Sequence, residues 1–312
     1  LVYDRAGYGL SSEISPNTTS ISAVDIATEL NDLLHAADLS SGPFVVVCHS
    51  YGGIIAREFV HLRGADAGDV CGIVFVDANQ ELNMIEGPWP APYIDAVVEG
   101  LDVWDVVGIS ENHGLLEDEW QVLLSRNKEY AEKHARVAAV EAKGYIDSGA
   151  VLAAKRHFDM KDPPLLGSSP VSVIKGRTYR DFKMMLEAGT RAGSGTEEER
   201  RKFREMIETY DKLDEKWQKG LLGLSRRSRW ARAGKSGHNI HLTEPEVIVE
   251  EVKWVLENIE GISSQRWYFD SKLILGKILR QIYLGMLYLH ELRSSPYLFP
   301  VLNIRRGILF HH

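Results

Sequence analysis

The chain has 312 residues, 44% of them hydrophobic, and a formal net charge of -8. That length suits one large α/β core carrying an inserted segment, and the acidic balance argues against a nucleic-acid partner. The two cysteines, Cys48 and Cys71, both fall at or near apolar runs, so no disulfide framework is implied.

The opening stretch, LVYDRAGYGLSS, reads as a strand end followed by a glycine turn. It starts with Leu rather than Met and shows no signal-peptide pattern, so a fragment of a cytoplasmic protein is expected. Ser22 and Asp25 begin an amphipathic helix through AVDIATELNDLLHAADL. Phe44, Val45, Val46 and Val47 are apolar without alternation, as in a strand buried on both faces. Ser50 follows in a turn, and Ile54, Ile55, Phe59 and Leu62 then fall at helical spacing. The next buried strand, GIVFVDANQE, carries Asp77 at its C-terminal end.

Residues 79–167 show no β-alternation; YIDAVVEGLDVW, DEWQVLLSRNKEYAEKHARVAAVEAKGYI and VLAAKRHF are helical in period. PVSVIKG returns to the sheet. A long charged helix follows, with Thr196 and Glu199 as its capping box and a charge run read as a solvated face. Trp230 and Ala231 belong to a short final strand. His238 then lies in a loop before a helix, for which Thr243 and Glu246 form the expected capping box, with Pro245 in the first turn. From residue 262 the chain is unusually apolar for a tail. Lys277, Arg280, His290 and Glu291 make Lys272–Leu292 a poor membrane span. An extra packing helix or an erroneous extension of the reading frame accounts for it better than an interfacial helix. His311 and His312 are a short tail, not a metal site.

Three segments, in this order, carry a family likeness. DRAGYGLSS resembles the D-R-x-G-x-G-x-S turn of the α/β-hydrolase family, CHSYGG its nucleophile elbow, and SGHNIHLTEPE its histidine loop. Cys48 stands where the elbow's first Gly belongs, a small substitution compatible with close strand–helix approach. The resemblance covers roughly residues 1–260. It implies a mostly parallel sheet with a helical cap: core residues 1–78 and 168–261, cap residues 79–167, and an atypical extension at 262–312. It also implies that the chain lacks the family's first three strands. A chain without that central third strand is expected to be less stable than the whole protein, prone to aggregate, and a poor esterase.

The resemblance assigns roles as well. Ser50 is the nucleophile and His238 the base that takes and returns its proton. Among the 11 histidines, His49 is expected to leave the turn in another direction, His241 lies nearer the helix cap, and His113, His134 and His157 lie in the cap. The acid that orients the imidazole is Asp77 or, as the alternative, Asp181; the usual family position, three residues past Gly176, is Tyr179. The backbone N–H of Tyr51 is one oxyanion donor, and the second is absent from the chain. Ser50 and His238 are expected within hydrogen-bond reach. The implied activity is hydrolysis of a small-molecule ester or related acyl substrate, without cofactor or metal. Serine at the elbow argues against dehalogenase or epoxide hydrolase chemistry, which uses Asp; a hydroxynitrile lyase, an amidase, a non-catalytic ligand-binding or scaffold member, and a membrane-surface protein built on the tail remain open. Trp89, Tyr93 and Trp104 are candidates for an apolar pocket or for core packing.

Overall fold

Four short strands make the sheet: β1 (Phe44–His49), β2 (Val70–Val76) and β3 (Val171–Lys175), each rich in β-branched residues, and β4 (Ser228–Arg232), which has none. The computed structural model describes residues 1–64, 69–89, 91–155 and 163–260. His157 and the apolar segment 262–312 lie outside them. Among the described residues the strands pair in the order β1-β2-β3-β4, every pair parallel. Strands β2 and β3 are buried throughout, whereas Phe44–Val47, expected to be buried on both faces, is only half-buried because β1 lies at the edge of this sheet.

Successive β2 side chains alternate between two buried faces. Ile73 and Phe75 pack with Phe59 of α2 (Gly52–Arg63) on one side. Val74 and Val76 pack with Ile248, Val252 and Val255 of a later helix, described below, on the other. Gly72 has no side chain because Val255 crosses directly over it. Cys48 and Cys71 are free and buried.

The helix α1 (Ala23–Ala36) starts at Ser22, whose side chain and Asp25 form a reciprocal capping box. Between Asn79 and Lys155 the described residues form helices and no strand: α3 (Glu81–Ile85), α4 (Pro92–Val98), α5 (Val103–Val106), α6 (Ile109–Asn112), α7 (Glu117–Glu129) and α8 (Ala131–Ala154). After β3 come α9 (Thr178–Ala192) and α10 (Glu197–Gly220), the latter capped by the Thr196–Glu199 box. After β4 come α11 (Ile240–Thr243) and α12 (Pro245–Glu257). Among the described residues no helix is long and apolar enough to cross a membrane.

Three expectations change here. The opening is not a strand: Tyr3 makes a single bridge and an irregular turn follows. That turn is fixed by side chains instead. Arg5 Nη2 lies 2.6 Å from Glu141 Oε1 on α8, and the Tyr8 hydroxyl donates to Glu141 Oε2 at 2.9 Å. The Thr243–Glu246 box does not form, because Thr243 ends α11 and its hydroxyl is engaged by Asn239 O and Ser236 Oγ. Nor is α10 a simple solvated face. Arg201, Lys202 and Glu205 are half exposed or more, but Asp214, Trp217 and Gln218 are buried.

Candidate active site

Parallel strands deliver their C-terminal ends to one edge, and the candidate residues gather there. Ser50 follows β1 and precedes α2, with a backbone φ of 52°. That left-handed conformation costs a β-carbon residue roughly 1–3 kcal/mol and is held by its surroundings. Ser50 N donates to Val76 O at 3.3 Å, and Ser50 O accepts from Asn79 N at 2.8 Å and Gly53 N at 3.0 Å. A Cβ on Gly53 would strike Asn79 O and Ala78 Cβ, so glycine permits the tight pass of α2 over the β2 end. Tyr51 is the N-cap of α2, which places its N–H at the positive end of the helix. The Ser50 hydroxyl is fully buried and has no hydrogen-bond partner among the described residues. The hydrogen bond expected between Ser50 and His238 is therefore not formed in this structure. Catalytic contacts of unliganded sites are often loose and tighten only around the reacting group.

Asp77 is the first residue past β2, also left-handed at φ 39°, and 3% exposed. Four donors surround its carboxylate. Oδ1 accepts from Gly176 N at 2.9 Å and Gln218 Nε2 at 2.8 Å, while Oδ2 accepts from the Thr178 hydroxyl and faces His238 Nδ1 at 2.7 Å. Burial pushes the Asp77 pKa up, but the hydrogen bond and charge of His238, with help from Lys175 and Thr178, hold it well below the usual carboxylate range. Burial lowers the His238 pKa in turn. The Asp77 hydrogen bond and the charges of Asp77, Asp181 and Asp214 outweigh it and leave the imidazole above its ordinary value. With Nδ1 committed to Asp77, Nε2 is the nitrogen left for chemistry.

Asp181, the alternative acid, does not address the ring. Its Oδ2 accepts from the backbone N–H of His238 at 2.8 Å and its Oδ1 pairs with Arg180 at 2.8 Å. It thus anchors the histidine loop. Two further anchors are Glu244, which accepts from Lys235 N and Ser236 N, and His49. His49, expected to leave the elbow turn in another direction, reaches the histidine loop: its Nε2 donates to His238 O at 2.9 Å and its ring lies 4.5 Å from that of His238 and 4.7 Å from that of His241. Burial and the neighbouring histidines push the His49 pKa well down, so it stays a neutral donor.

Gly237 tests how tightly the loop is set, since a Cβ there would overlap the Asp181 carboxylate. Gly237→Ala is expected to push His238 off Asp77 and cut turnover of an activated ester by about 10²-fold. Comparing kcat with the thermal midpoint checks it, because a loss of stability without a loss of kcat contradicts the role given to the loop.

Of the aromatic residues singled out from the sequence, Tyr93 lines a cavity of about 400 Å³ with Met206, Tyr210, Leu213 and Trp217. Trp89 and Trp104 pack in the apolar cluster around α4 and α9. Sequence reasoning missed Thr178 and Gln218. The second had a faint signal: Asp211, Asp214 and Gln218 share one face of α10.

Among known proteins, residues 1–251 match the model of the alpha/beta hydrolase family. A probable transporter, efuK, of Hormonema carpetanum is 29% identical over 262 residues, 83% of this chain. The chain spans about a third of that protein's length (35%). An AB hydrolase superfamily protein of Gibberella zeae is 29% identical over 259 residues, 82% of this chain and 77% of that protein. A solved thermophilic esterase from Thermogutta terrifontis is 15% identical with a TM-score of 0.44, covering 82% of this chain and 78% of the esterase. With the family's model matched from the opening turn through the elbow to α12, the chain belongs to the alpha/beta hydrolase family.

Proposed function

We propose that this chain is a serine hydrolase that cleaves an ester or related acyl substrate through an acyl-enzyme on Ser50. One observation carries the reading: a buried, ionised Asp77 sits 2.7 Å from His238 Nδ1 at the same sheet edge as a serine held at φ 52°. In the proposed cycle His238 Nε2 accepts the hydroxyl proton as Ser50 Oγ attacks the acyl carbon. Negative charge develops on the carbonyl oxygen, and the Tyr51 N–H at the start of α2 stabilises it. Collapse expels the alcohol, which takes the proton from His238. Water then attacks the acyl-enzyme with its proton passing to His238, and Ser50 leaves with that proton. Asp77 keeps its charge throughout and stabilises the imidazolium. Catalysis requires neutral His238, so kcat/KM is expected to rise with pH through an ionisation above the ordinary imidazole value.

A fluorophosphonate probe tests the reading. Wild-type protein is expected to label, and Ser50→Ala and His238→Gln to lose labelling. A folded wild-type chain that resists the probe favours a second reading, a non-catalytic binding member of the fold, whose support is the unpartnered Ser50 hydroxyl.

A further inference from the structure

Behind Asp77, on the side away from His238, lies a second set of buried charges. Gln218 Nε2 stands 2.8 Å from Asp77 Oδ1 and 3.1 Å from each oxygen of Asp214. Its two amide hydrogens thus serve two carboxylates, an arrangement that the opposite amide orientation would turn into repulsion. Asp214 Oδ2 lies 3.0 Å from Lys175 Nζ, which also reaches Asp211 Oδ1 at 2.8 Å and Gly176 O at 3.2 Å. The side chains of Lys175, Asp214 and Asp77 are 1%, 7% and 2% exposed, whereas that of Asp211 is 42% exposed and solvated. With His238 neutral, the buried carboxylates Asp77 and Asp214 face one buried ammonium, Lys175. The site therefore has room for one more positive charge, which is the one His238 acquires when it takes a proton.

We propose that Gln218 and Asp214 of α10 are positioning residues for the Asp77–His238 pair, with Lys175 as their buried counter-ion, so that α10 sets both the orientation of the acid and the charge felt by the base. The proposal rests on the hydrolase reading above. Gln218 holds Asp77 from the side opposite His238, and Asp214 holds Gln218. The groups that face Asp214 are Lys175 from β3, Asp77 from the end of β2, Gln218 and Tyr210 from its own helix, and His238 from the loop after β4. Asp181, beside Arg180 on α9, faces His238 from another side. Burial and the charge of Asp77 push the Asp214 pKa up to about 6 against the pull of Lys175 and Gln218. Asp214 and His238 consequently titrate as interacting sites. Ionised Asp214 favours the imidazolium. Removing its charge lets the imidazole release its proton at lower pH.

The test uses the full chain with two independent readouts. The His238 Cε1–H signal, identified by its loss in His238→Gln, is titrated by NMR in wild type and Asp214→Asn. Fluorophosphonate labelling of Ser50 is followed against pH in the same proteins. In folded Asp214→Asn, where Lys175 keeps Asp211, the His238 midpoint and the pH of half-maximal labelling are both expected to move down. Gln218→Met, an apolar replacement of similar length, is expected to slow maximal labelling about tenfold at unchanged probe affinity, the cost of one hydrogen bond to a charged group. An unmoved His238 midpoint in Asp214→Asn overturns the proposal. If that variant does not fold, an unchanged maximal rate in Gln218→Met overturns it. A wild-type chain that never labels, yet whose His238 midpoint drops in Asp214→Asn, overturns the hydrolase reading and supports the charge network.

Discussion

Asp77→Asn is expected to lower kcat on an activated ester by about 10⁴-fold, the scale seen when a triad acid loses its charge but keeps its shape. The environment of Asp77 explains why so small a change matters. Gly176 N–H, the Gln218 amide and the Thr178 hydroxyl can all donate to the carboxylate, and His238 Nδ1 faces it as the fourth. An asparagine amide must turn its NH2 toward one pair of these donors. Facing His238, it forces the proton off Nδ1 and onto Nε2, the nitrogen that must accept from Ser50. Facing Gly176 and Gln218, it leaves buried donors unpaired, at roughly 1–3 kcal/mol of stability. Asp181→Asn keeps a carbonyl oxygen able to accept from His238 N and should cost far less activity. Turnover of p-nitrophenyl acetate by the two variants decides between the acids. The reverse ranking transfers the role to Asp181.

Ser50→Ala is expected to reduce the same turnover by about 10⁶-fold, since nucleophile and base act as a unit. Its companion, Ser50→Gly, separates chemistry from strain. Both variants lack the hydroxyl and both should be inactive. Alanine retains the Cβ penalty at φ 52°, whereas glycine adopts that conformation without it. Ser50→Gly should therefore melt at a higher temperature than Ser50→Ala, although glycine carries more entropy in the unfolded chain. Equal midpoints would mean that the elbow stores no strain for the nucleophile.

The sequence by itself determined the local units. The GIVFV of β2 reads as a strand buried on both faces, because no polar position alternates along it, and β2 is buried throughout. Phe44–Val47 reads the same way but is only half-buried, because β1 is the edge strand among the described residues. Ser22–Asp25 and Thr196–Glu199 marked helix starts, because a capping box is closed within four residues of chain. Thr243–Glu246 looked the same and was not one: its threonine was already spent on Asn239 and Ser236, contacts that follow from how the histidine loop folds back. Ser50 stood out because it sits in a turn between an apolar strand and a helix, and His238 through the resemblance of its segment to the family's histidine loop. The choice between Asp77 and Asp181 had no local signature. Only the tertiary structure separates their surroundings: it brings His238 Nδ1 to the Asp77 carboxylate, 161 residues away, and gives Asp181 the backbone N–H of the same residue. The same holds for His49, whose ring turns to the His238 carbonyl, and for Gln218, which joins Asp77 across 141 residues. On paper Asp214 and Gln218 belonged to a run of charges on a helix, and charge runs face water. Only the docking of α10 behind β3 removes them from solvent. Burial then makes every unpaired charge costly and so fixes which of them must meet.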